Sequence, residues 1–93
     1  MIVRLVWLPL KDSEKEPFET LFQNIKNDIG NFKGCIMLEL LKQGDKGNDY
    51  FTYSTWISED ALNQYLQSDF FSKVWPDVKL MLRQKAMAWT LVK

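Results

Sequence analysis

Two short segments of this chain carry large apolar side chains on both of their faces, and that feature limits its folding more than any other. Ile2 to Leu8 sets Val3, Leu5 and Trp7 on one side against Ile2, Val6 and Leu8 on the other. Cys35 to Lys42 sets Ile36, Leu38 and Leu40 against Cys35, Met37 and Leu41. Their composition suits strands, which place successive side chains on opposite faces of a sheet. An antiparallel sheet with helices on one side needs only one apolar face, so these strands need cover on both. A chain of 93 residues has length for one domain and one helical layer. The face left over predicts a homodimer whose sheets pack against each other.

The remaining segments supply the helices and the rest of the sheet. Phe18, Leu21, Phe22, Ile25 and Ile29 recur at helical spacing after the first strand. Two starts are open for this helix: Ser13 with Glu16 forms a capping box, while Pro17 suits a first helical position. Gly30 and Gly34 bracket its exit. The run QGDKGND predicts a tight reversal between Gly44 and Asn48, joining Cys35–Lys42 to the aromatic run Tyr50–Trp56 as a hairpin. Ser58 is an N-cap ahead of Glu59 and Asp60, and Ala61, Leu62, Tyr65 and Leu66 form the buried side of that helix. Ser68 caps a second stretch through Phe70, Phe71, Val74 and Trp75. Pro76 predicts a break there, with a further short helix running from it through Val78, Met81 and Leu82. Lys85 to Val92 reads as the last strand. Strand, helix, strand, strand, helix, strand is the ferredoxin-like α+β plan, one antiparallel sheet in a single domain over residues 1–93.

Composition removes most familiar chemistry. Twelve Lys and Arg balance twelve Asp and Glu, so neither a nucleic acid nor an anionic membrane would be steered to this chain. There is no histidine, which excludes a His-containing nucleophilic triad and the commonest metal ligand. One cysteine, Cys35, excludes an intramolecular disulfide and a thiolate metal cluster, and reads as a small buried filler. No apolar run approaches the roughly 18 residues of a membrane span. The opening MIVRLVWLPL has no small-residue cleavage site, so a cytoplasmic protein is expected.

The segment FKGCIMLELL, the turn, the aromatic strand ending in Trp56 and the following SEDALNQYLQSDFF together resemble the antibiotic biosynthesis monooxygenase family. The matching positions are Gly34, Cys35, Glu39, Trp56, Ala61, Leu62, Ser68 and Phe71, and the resemblance covers nearly the whole chain. It implies a dimeric α+β barrel. Its implication for reaction is broader, because the family spans cofactor-free quinol oxidation, heme degradation and members without known activity. The heme-degrading pattern pairs a strand-end Trp with a His eight positions into a Ser-Asp segment. Here Trp56 matches the first element, and SDFFSKVW puts Trp75 where that His would stand. The first-strand Asn of those enzymes is missing too. Indole cannot ligate iron, so no cofactor is expected.

The resemblance implies a cofactor-independent, monooxygenase-like protein acting on a small aromatic or quinol-like compound. A non-catalytic ligand-binding dimer of the same fold is the alternative, with heme binding third. Expected pocket residues are Phe22, Met37, Trp56, Phe71 and Trp75. Without histidine the proton acceptor would be Glu39, Tyr65 or water. Glu39, mid-strand in an apolar run, is either a desolvated base or a structural carboxylate paired with a residue such as Arg4. A hairpin centred between Lys46 and Gly47 would pair Met37 with Trp56 and Glu39 with Ser54 on the face turned to the helices. Lys79, Arg83 and Lys85 read as a solvated face.

Overall fold

A computed structural model describes residues 1–44 and 47–93. The tip of the reversal expected between Gly44 and Asn48, Asp45 and Lys46, lies outside the described residues. The chain runs β1 (Ile2–Pro9), a 3-10 turn (Asp12–Glu14), α1 (Lys15–Gly30), β2 (Cys35–Lys42), β3 (Asp49–Trp56), α2 (Glu59–Leu66), α3 (Asp69–Leu80) and β4 (Met87–Val92). Its four strands lie in the order β2-β3-β1-β4, every neighbouring pair antiparallel. This is the ferredoxin-like α+β arrangement expected from the element order. Among the described residues no helix is long and apolar enough to cross a membrane.

Two serines start the second and third helices. Ser58 Oγ accepts from the Ala61 amide at 3.1 Å, and Ser68 Oγ accepts from the Phe71 amide at 3.1 Å. Each satisfies one of the amides a helix start leaves unpaired. The first helix uses neither expected start. It begins at Lys15 out of the 3-10 turn, without a side-chain cap, and Pro17 falls within its first turn. There the missing proline amide costs no helical hydrogen bond.

Pro76 does not break the chain as expected: α3 runs through it from Asp69 to Leu80. The reason is packing. Phe71, Val74, Trp75 and Val78 form one stripe against the interior, and the stripe continues across the proline. Pro76 and Ser72, whose carbonyl loses its donor, are both exposed, so water can satisfy that group.

The hairpin register differs from the expectation by one residue. Cys35 pairs with Trp56, but Met37 pairs with Thr55, Leu38 with Ser54 and Glu39 with Tyr53, with an irregularity between Cys35 and Met37. Ile36 is thus a bulge, the extra residue on β2. It turns Leu38 and Leu40 to the helices beside Thr52, Ser54 and Trp56, and sends Met37, Glu39 and Leu41 to the opposite face. Gly34, just ahead of the bulge, has φ +90°, and a Cβ there would collide with the Ala61 side chain. Only glycine combines that backbone with so close an approach of α2.

The helices cover one sheet face, and the interior between them falls into two clusters. One gathers Leu8, Leu10, Phe18, Phe22, Tyr50 and Val78; the other gathers Ile2, Trp56, Ala61 and Leu62. The uncovered face carries Leu5, Trp7, Phe51 and Tyr53, with Met87, Trp89 and Leu91 at its β4 edge 51%, 40% and 49% exposed.

Candidate functional site

A cavity of about 400 Å³ lies between the sheet and the helices, touching both core clusters. Domains of this size usually have one contiguous core, so a void between two clusters is a feature of the fold. Four helical positions of α1 (Phe18, Phe22, Ile25, Ile29) form one wall, and Val6, Leu8, Leu38 and Thr52 contribute to the floor. The far wall is a chain of aromatic rings. Trp56 stacks on Tyr65 with centroids 5.2 Å apart, Tyr65 meets Phe71 edge-on at 5.3 Å, and Phe71 stacks on Trp75 at 5.8 Å. These separations are those at which aromatic pairs attract beyond simple burial.

Elements position each ring. Trp56 ends β3 on the inner face, where its Nε1 donates to Ser54 Oγ at 3.0 Å; the residue is 1% exposed. The Ser58 cap sets the start of α2, which puts Tyr65 one turn beyond Ala61 over Trp56. The Ser68 cap does the same for Phe71 and Trp75 on α3. Phe22, Trp56, Tyr65, Phe71 and Trp75, all named from the sequence, therefore meet at one cavity.

Met37 and Glu39 do not join them. The Ile36 bulge places both on the opposite sheet face, so the expected pairings of Met37 with Trp56 and Glu39 with Ser54 do not form. Arg4, offered as a partner for Glu39, pairs across the ladder with Ser54 and Thr90 and lines the cavity, on the other side of the sheet from Glu39. Lys79, Arg83 and Lys85 are exposed as expected, but Arg83 is also paired. Its Nη2 contacts Asp49 Oδ1 at 2.6 Å and its Nη1 donates to the Leu10 carbonyl at 3.0 Å. Asp49 in addition accepts from Trp7 Nε1 at 3.0 Å. Burial works against that carboxylate, but the Arg83 and Trp7 hydrogen bonds and the Arg83 charge hold it below its ordinary range.

The electrostatics of the cavity are set by a phenol and a guanidinium. Burial pushes Tyr65 up to about 12, Cys35 adds to the rise, and Arg4 offsets part of it. Tyr65 is a phenol at neutral pH, better fitted to donate a hydrogen bond than to accept a proton. Burial pulls Arg4 below its ordinary value while Tyr65 pulls the other way; an arginine still carries its charge near neutrality. Cys35, expected as a buried filler, is only half-buried; that burial raises its thiol, and the hydrogen bond its Sγ donates to the Met37 carbonyl offsets part of the rise. No Asp or Glu lines the cavity among the described residues. Trp75, at the position of the iron-ligating His in the heme-degrading pattern, faces the cavity with an indole, so the residues present do not fit a histidine-ligated heme.

Sequence reasoning missed Arg4 and Ser54 as cavity residues. A signal was present: Arg4 is the one charged side chain in the otherwise apolar β1, at the same alternation as Ile2, Val6 and Leu8.

Known proteins place this architecture. A crystal structure of an antibiotic biosynthesis monooxygenase superposes with TM-score 0.91 at 13% identity, covering 100% of this chain and 98% of that one. A conserved protein from Methanosarcina mazei Go1 gives 0.91 at 19% identity, over 100% and 93% of the two chains. Rv0793 from Mycobacterium tuberculosis gives 0.89 at 14% identity, over 99% and 93%. At such identities the likeness is one of fold. Among proteins of curated function none matches the sequence significantly. The family model described as antibiotic biosynthesis monooxygenase matches residues 1–75, and the chain belongs to that family.

Proposed function

We propose that the cavity binds a small aromatic or quinol-like compound and that the protein acts on it as a cofactor-independent monooxygenase, working as a homodimer. The observation that carries this reading is the aromatic-walled void of about 400 Å³ between two core clusters, a size within the range of small-molecule sites. In such chemistry an electron-rich substrate anion reduces O2 directly, and the protein contributes orientation and a dry enclosure. Tyr65 would donate a hydrogen bond to a substrate oxygen, and the rings of Trp56, Phe71 and Trp75 would flank its plane. With Glu39 on the far face of the sheet and Tyr65 held as a phenol, the proton acceptor is water or the substrate arrives ionised.

That lack of a base favours one other reading, a dimer that binds the same class of ligand without chemistry. Thermal melting with a panel of aromatic acids, phenols and quinols, followed by oxygen uptake for every compound that raises the melting temperature, separates the two. Monooxygenase action predicts a stabilising quinol whose oxygen consumption accelerates with protein and is lost in Trp75→Ala. Stabilisation with no oxygen uptake assigns the protein to ligand binding alone. A panel that leaves the melting temperature unchanged overturns both.

A further inference from the structure

The cavity is apolar except for the Tyr65 hydroxyl on its wall and, on its floor, Arg4 from β1 with Thr52 and Ser54 from β3. Arg4 lies mid-β1 with Ser54 opposite on β3 and Thr90 opposite on β4. Arg4 Nη1 donates to Thr90 Oγ1 at 2.9 Å, but its Nε is buried and has no hydrogen-bond partner. Ser54 Oγ accepts from Trp56 Nε1, which leaves the hydroxyl proton of Ser54 free to be donated. Among the described residues the one ion pair is Arg83 with Asp49, so Arg4 has no carboxylate partner, and none lines the cavity.

A guanidinium taken partly out of water with an unpaired N–H is costly, and the cost is offset when an acceptor arrives that carries the opposite charge. Neutral acceptors would satisfy the hydrogen bond but leave the charge of this half-buried guanidinium uncompensated. From this geometry we infer that the cavity selects aromatic oxyanions, a ring-borne carboxylate or an ionised phenol, with the anionic oxygen at Arg4 Nε and Ser54 and the ring plane along the Trp56–Tyr65–Phe71–Trp75 wall. The inference rests on the reading of this cavity as a ligand site and names the class of ligand. It also supplies what the site otherwise lacks: a cation that favours the ionised substrate replaces a base that would ionise it.

The test compares 2-naphthoate, its neutral amide 2-naphthamide and 2-naphthol, titrated against the intact protein by tryptophan quenching. Naphthoate is expected to bind roughly tenfold or more tighter than naphthamide, as for a hydrogen bond to a charged group. Bound 2-naphthol should ionise at a lower pH than in free solution, which its absorbance reports. Preference for naphthoate alone identifies a carboxylate ligand, and lowered naphthol ionisation alone identifies a phenolate; either supports the inference. Arg4→Met should abolish the preference for naphthoate over naphthamide, lowering naphthoate affinity by the larger factor. Trp75→Ala should weaken all three probes, which places them in the cavity.

Equal binding of naphthoate and naphthamide with unshifted naphthol ionisation overturns the role of Arg4 while the cavity stands as a ligand site. No binding by any probe, or binding indifferent to Trp75→Ala, overturns the ligand site itself. The comparison of probes on the unaltered protein decides the matter even if Arg4→Met does not fold.

Discussion

Trp56 is 1% exposed, donates its indole N–H to Ser54 and stacks on Tyr65, so most of its surface meets protein. Trp56→Ala is expected to cost about 3–5 kcal/mol, the range of a fully packed Trp, in denaturant melts. Trp75 is only partly buried, stacking on Phe71 and packing against the rim of the Leu8–Val78 cluster, so Trp75→Ala should cost clearly less in the same melts while weakening a bound ligand more. The tyrosines give a pH signature. Burial raises both Tyr50 and Tyr65 to about 12, and the Glu19 carboxylate 2.6 Å from the Tyr50 hydroxyl adds to the first. A raised folded-state value means the native protein holds the phenolic proton more tightly than the unfolded chain. The stability that follows is complete below the ordinary value near 10 and is lost as pH rises through about 12. Denaturant midpoints should therefore fall over that interval, and Tyr50→Phe should make the fall shallower. A midpoint that stays flat across the interval would contradict the assignment.

Among the elements, α3 carries the clearest conflict between local preference and packing. Proline inside a helix removes one hydrogen bond and crowds the preceding turn, a cost of about 3 kcal/mol relative to alanine in a helix interior. The apolar stripe from Phe71 to Val78 outweighs it, since those side chains would lose the interior if the helix ended at Trp75. Pro76→Ala restores the donor to the exposed Ser72 carbonyl and is expected to stabilise the protein by about 1–3 kcal/mol, read as a higher Tm and denaturant midpoint. A loss of stability would mean that the proline shapes how Trp75 packs. The β2 strand shows the opposite balance. Its own pattern sends Leu38 and Leu40 inward, β3 sends Trp56 inward, and a regular hairpin centred between Lys46 and Gly47 cannot do both. The Ile36 bulge lets each strand keep its apolar or functional face.

At the scale of the molecule, the helices leave one sheet face bare, and it is apolar from Met37 and Leu41 through Phe51 and Trp7 to Trp89 and Leu91. Patches of that kind on soluble proteins mark association surfaces. A second copy presenting the same face would bury both and leave the cavity, on the far side of each sheet, untouched. Sedimentation at micromolar concentration should give about twice the chain mass of 11.0 kDa. Trp89→Asp, in the middle of β4, should shift the population to monomer because a buried unpaired carboxylate is costly. A compact, soluble monomer of the unaltered chain would overturn face-to-face pairing.

Periodicity, caps and turn residues determined the order and type of nearly every element, because these are local properties: Ser58 and Ser68 cap helices with their own side chains, and Gly34 reads as a backbone exception. The aromatic members of the cavity were legible for the same reason, since helical spacing brings Phe71 and Trp75 to one face and a strand end presents Trp56. What the chain's own pattern could not decide was any matter of register or of competition between distant parts. One bulged residue reverses the face of everything after it on β2, which is why Glu39 and Met37 lie away from the cavity. Burial of a stripe, summed over several side chains, carries α3 through a proline that local rules would make a boundary. Arg4 acquires its surroundings only when β3 and β4 close on either side of β1, which leaves the side chain half-buried and its Nε without a partner. Desolvation of a charge is a property of the assembled interior, and no spacing along the chain encodes it.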